Sequence, residues 1–102
     1  MKKNSALVSI AEKIIVGNIN MLDAIREICK ISSSMECRDV YPILMFRGIE
    51  SDTDEFISIN DKNINQYSDA FLKNQYSELD NYFSSINEDI INGAKAIIQK
   101  FS

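Results

Sequence analysis

Residues 68–101 read SDAFLKNQYSELDNYFSSINEDIINGAKAIIQKF. Within them Leu72, Tyr76, Leu79, Phe83, Ile86, Ile90, Ala94, Ile97 and Phe101 recur at steps of three and four. At 3.6 residues per turn, such steps hold one apolar stripe on a single helical face, here for about 30 residues. Ser68 or Asp69 supplies the side-chain oxygen that starts a helix by accepting an otherwise free backbone N–H. The stretch therefore predicts a long C-terminal helix, from about 68 to 101, as the spine of the fold. The Ser84-Ser85 pair and Gly93 argue against its being straight or unbroken.

The rest of the chain supplies shorter helices to pack on that stripe. Leu7, Ile10, Ala11, Ile14 and Ile15 share a helical face, with Ser5 placed to start a helix over about 6–16 and Gly17 placed to stop it. A second helix follows Asn18 or Asn20. Its buried stripe is Met21, Leu22, Ile25, Ile28 and Cys29, its water-facing side Asp23, Arg26, Glu27 and Lys30, and it frays at Ser32-Ser33-Ser34. Residues 39–46 are bounded by polar residues and read either as a buried strand or as a helix. The helix, over 40 to about 50, is preferred: Asp39 can cap it, Pro42 is tolerated in a first turn, and Ile43, Phe46 and Ile49 then share a face. Residues 51–65 form a polar connection, pinned to the core by Phe56, Ile57 and Ile59. The expected fold is all-α: one domain over 1–102, a small antiparallel helical bundle with a long C-terminal helix.

A chain of 102 residues with 45% hydrophobic and 25% charged side chains can bury one core and is not compositionally disordered. Its apolar runs are too short to span a bilayer. Met1-Lys2-Lys3 imitates the charged end of a signal peptide, but Ser9, Glu12 and Lys13 interrupt the apolar stretch behind it and no small-residue cleavage site appears. The expected location is the cytoplasm. There Cys29 and Cys37 are read as free thiols, since two cysteines without histidine make an incomplete zinc site. The chain has no histidine at all, so it lacks the commonest general base and the usual activator of a Ser or Cys nucleophile. No catalytic residue, cofactor or metal is expected.

Charge is unevenly distributed. Residues 48–90 hold ten acids against Lys62 and Lys73, a net charge of −8, while the whole chain carries −4. Direct nucleic-acid binding calls for a basic stripe and is disfavoured; an acidic surface suits a basic protein partner. The candidate partner-binding residues are Glu50, Asp52, Asp54, Glu55 and Asp61. The alternative is that these acids only solvate exposed faces. Asp52-Thr53-Asp54-Glu55 begins like a calcium loop, but Phe56, Ile57 and Asn63 occupy the positions where a ligand, a glycine and a glutamate are needed. A structural reading is that Ser51, Thr53 and Asp54 satisfy backbone groups of a turn, with Arg47 and Arg38 holding it through a carboxylate. Lone Gly17 and Gly48 match no phosphate-binding loop.

The string Ile49-Glu50-Ser51-Asp52-Thr53-Asp54 resembles the I-D-S-E-T-D signature of a family of small helical bacterial proteins. Ala24-Ile25-Arg26 matches that family's small-apolar-Arg step, and Asp39 through Phe46 its acidic residue before an aromatic segment. Tyr67 stands in the place of a tryptophan, and Phe71-Leu72 through Ile97-Ile98-Phe101 follow the long last helix. Glu50 and Asp52 exchange the two acid types at unchanged charge, and the proline usual soon after the signature is absent. Small helical domains of this look are also similar to immunity proteins of contact-dependent growth inhibition systems in enteric bacteria. That resemblance implies a chain that binds and blocks the C-terminal toxin domain, a nuclease with a basic cleft, of a neighbouring effector. The rival classes are a non-catalytic interaction or regulatory module with a host partner, and a small enzyme built on the acids of 50–55.

Overall fold

The computed structural model describes residues 2–102. They form five α-helices: α1 (Lys2–Val16), α2 (Met21–Ser32), α3 (Ile43–Asp52), α4 (Asp69–Ser85) and α5 (Asn87–Phe101). Single 3-10 turns at Glu36–Asp39 and Ile64–Gln66 lie in the connections, and no strand occurs among the described residues. The all-α expectation holds.

Helix ends follow local chemistry. Gly17, at φ +73°, closes α1 in the left-handed conformation that suits glycine. Its N–H bonds Ile14 O at 3.2 Å and that of Asn18 bonds Lys13 O at 2.9 Å, the paired capping of a Schellman motif. At the other end α1 extends back to Lys2, so Ser5 lies inside it and is not its cap. Asn20, not Asn18, starts α2: its side chain accepts the Asp23 N–H at 3.1 Å. The α2 end is as expected, with the buried Ser32 hydroxyl donating to Ile28 O at 2.7 Å. Helix α3 begins at Ile43, after Pro42 and three residues later than expected, and Asp39 belongs to the preceding turn. Ile43, Phe46 and Ile49 do share its buried face.

The long C-terminal helix is two helices. Ser85 turns its hydroxyl onto Tyr82 O at 2.6 Å. Ile86, at φ −118° and ψ 15°, ends α4, its N–H returning to the carbonyls of Phe83 and Ser84. A new helix then starts with Glu88 and Asp89 in its first turn, where the positive end of the helix dipole favours acids. The Ser84-Ser85 pair thus marks a real break. Gly93 does not: it lies inside α5, where that helix approaches α3. A Cβ there would overlap Met45 Cε and stand 3.1 Å from two atoms of the Phe46 ring.

Helix α5 lies along α1; α2 packs on α1 and α3; α3 also touches α5. Leu7, Ile25, Ile28, Ile43, Phe46, Ile90 and Ile97 fill the space between these four helices and are almost wholly excluded from solvent. Helix α4 stands outside this arrangement and buries only Gln75 and Leu79. The expected spine is therefore α5 alone, and α4 is an outer helix, tied to Ile57 by Gln75 and resting Tyr82 and Phe83 against the core.

Candidate functional site: the acidic turn between α3 and α4

The turn is built from Thr53 outward. Thr53 is 1% exposed, and its hydroxyl donates to Ile49 O at 2.8 Å. Its N–H bonds Ile49 O and Glu50 O, each at 3.1 Å, closing α3. Of the three side chains read as turn formers, Thr53 does the bonding. Ser51 and Asp54 are exposed and make no side-chain hydrogen bond among the described residues.

Three side chains from other helices then fix the chain beyond Thr53. Arg26 of α2 donates to Thr53 O at 3.1 Å and to Phe56 O at 2.6 Å. Asp23, one turn earlier, accepts from Ser58 Oγ and Asn60 Nδ2. Gln75 of α4, 6% exposed, accepts the Ile57 N–H at 2.8 Å and donates to Ile57 O at 2.7 Å. Its carboxamide satisfies both backbone groups of one residue, as a neighbouring strand would. Asp23 and Arg26 therefore do not simply face water, which corrects their reading as the solvated side of α2. Nor do Arg47 and Arg38 hold the turn. Arg47 pairs with Asp39 and donates to Arg38 O at 3.1 Å, and Arg38 donates to Met35 O at 3.3 Å.

The five candidate acids are not gathered into one cluster. Glu50, Asp54 and Asp61 line a depression of about 600 Å³ that Arg26 and Arg47 also line. Glu50 is half-buried beside Cys29. Burial first, and then this carboxylate, push the Cys29 thiol up to about 12 from an ordinary 9.0. Asp61 is half-buried and accepts the Asn63 N–H at 2.7 Å, so part of its role is structural. Asp52 turns toward α4 and accepts the Tyr82 O–H at 3.0 Å. Burial, helped by that carboxylate, pushes the Tyr82 phenol up to about 12. Glu55 lines a separate groove of about 380 Å³ with Phe56, Phe71, Asn74, Gln75 and Glu78. Asp52 and Asp54 thus diverge, and no group of three or more Cys, Asp or Glu side chains among the described residues is placed to hold a metal ion. No helix of these residues is long and apolar enough to cross a membrane.

Arg26 and Gln75 are the site residues that helical periodicity misses. A polar residue on an exposed-looking face carries no mark of a carbonyl 27 or 30 residues away.

Compared with models of protein families, with curated proteins and with solved structures, the chain matches none of them.

Proposed function

We propose that this chain is an immunity protein: a non-catalytic, cytoplasmic inhibitor that binds the C-terminal toxin domain of a contact-dependent growth inhibition effector. The resemblance of residues 20–101 to the small helical family with the I-D-S-E-T-D signature, and of such small helical domains to immunity proteins, motivates the reading. The observation that carries it is the backbone of the acidic turn, held by Arg26, Asp23 and Gln75 while Asp54 and Glu55 remain exposed. Carboxylates on a backbone already fixed lose little freedom when a partner docks, and their like charge speeds encounter with a basic surface. A toxin that cleaves nucleic acid presents such a surface in its cleft.

The test is co-expression of the chain with the toxin domain encoded beside it. Protection by the wild-type chain is expected. Glu55→Lys combined with Asp54→Asn should weaken binding chiefly by slowing association, about tenfold at low salt and less at high salt. These two positions are preferable to Asp61, whose carboxylate also holds Asn63. Failure of the wild-type chain to protect would remove the proposal.

A further inference from the structure

The groove between the acidic turn and α4 differs in its lining from the depression beside it. Phe71 is 48% exposed and Tyr67 37%, although both are aromatic. Their rings stack with centroids 5.5 Å apart and planes at 20°, and neither ring joins the core. Phe71, Asn74, Gln75 and Glu78 lie at i, i+3, i+4 and i+7, one face of α4, and Phe56 and Glu55 of the turn complete the groove. No lysine or arginine lines it. Lys73, the one base of α4, lines a different depression with Asp69 and Asp80. The larger depression has Arg26 and Arg47 among its acids, whereas here Glu55 and Glu78 have no lining cation to offset them.

We propose that this groove receives an arginine side chain from a basic segment of the partner protein. The inference rests on the immunity reading for the partner's identity, and on the groove's chemistry for the arginine. An aromatic face attracts a cation, and a carboxylate accepts its N–H groups. The guanidinium does both at once, because its flat face stacks on a ring while its edge donates in plane; an ammonium is a more strongly hydrated point charge. An acidic partner or nucleic acid would be repelled, and an apolar segment would leave both carboxylates desolvated and unpaired.

The probe is the peptide acetyl-Gly-Arg-Gly-amide, titrated at low salt into the isotopically labelled full chain and followed by NMR. Its lysine and citrulline counterparts serve as comparisons. Saturating shifts are expected at residues 55–57 and 71–78, with lysine weaker by about threefold and the uncharged citrulline silent. Phe71→Ala and Glu78→Gln lie at exposed positions and should leave the helical circular dichroism unchanged while weakening the arginine peptide about threefold each. Non-saturating shifts, or shifts equally strong around Glu50 and Asp54 and untouched by Phe71→Ala, would reduce the effect to general charge attraction and overturn the groove. Co-expression separates this outcome from the broader reading. Undiminished toxin association by the Phe71→Ala and Glu78→Gln chains overturns the groove alone. A wild-type chain that does not protect overturns the immunity reading, and the peptide shifts still decide the groove.

Discussion

Gly93, Arg26 and Cys29 each do something that their residue type alone does not announce. Gly93 reads in sequence as a weak point of a helix, yet its missing Cβ lets α5 approach Phe46. Gly93→Ala should raise helix propensity and still destabilise by roughly 1–3 kcal/mol, because the buried Phe46 ring has little room to move. A melting temperature at or above wild type would show that Met45 and Phe46 shift freely. Arg26 uses a planar fork to reach two carbonyls, which a lysine ammonium cannot span in the same way. Arg26→Lys should therefore cost roughly 1–3 kcal/mol in chemical denaturation. Cys29 is neutral in the fold, its thiol pushed up to about 12, and Tyr82 is raised in the same direction from 10.0 to about 12. In the unfolded chain both ionise at their ordinary values, so the stability they contribute is complete below pH 9 and is lost progressively as pH climbs through 12. Denaturation midpoints should fall between about pH 9 and 11, and Cys29→Ala with Tyr82→Phe should flatten that slope. An unchanged slope in the double variant would place the alkaline sensitivity elsewhere.

At the scale of elements, periodicity made the apolar stripe of residues 72–101 legible but not the break within it. Phe83, Ile86 and Ile90 keep their three- and four-residue steps because the single non-helical residue bends the chain without deleting a position. Sequence spacing records register, and register survives a bend. The same blindness hid the difference between the two halves: Ile90, Ala94 and Ile97 are buried in the four-helix core, while Leu72, Tyr76 and Phe83 are only half-buried. Ile90→Ala should accordingly cost about 2–5 kcal/mol, and Phe83→Ala less. The reverse order in denaturant melts would mean that α4, not α5, carries the core. Side-chain bonds to distant backbone were equally illegible. Gln75 sits on a helix among polar neighbours, and only the folded chain reveals Ile57 opposite it. Gln75→Glu keeps an acceptor for the Ile57 N–H but sets a carboxylate against the Ile57 carbonyl. A loss of roughly 1–3 kcal/mol is expected, with faster amide exchange at Ile57.

For the whole molecule, the charge pattern marked residues 48–90 as rich in acids but carried nothing about how their carboxylates are arranged. The five candidate acids face in three directions because Asp52 bonds Tyr82, Glu55 turns toward Phe71, and Glu50, Asp54 and Asp61 stay with Arg26 and Arg47. Spacing along an irregular turn fixes no common face, unlike spacing along a helix. The uneven burial of the helices has a further consequence. Four of them share one core, while α4 is anchored by Leu79, the Gln75 carboxamide and half-buried aromatics. Cooperative units in a protein follow such differences in anchorage. Hydrogen exchange should therefore divide the chain: the amides of α4 and that of Ile57, bonded to its Gln75, opening together in a low-energy fluctuation, and those of α1, α2, α3 and α5 only on global unfolding. The outer helix would then act as a latch on a preformed body, releasing and re-engaging Ile57 many times in the lifetime of a single folded molecule while Arg26 and Asp23 keep their hold on the acidic turn.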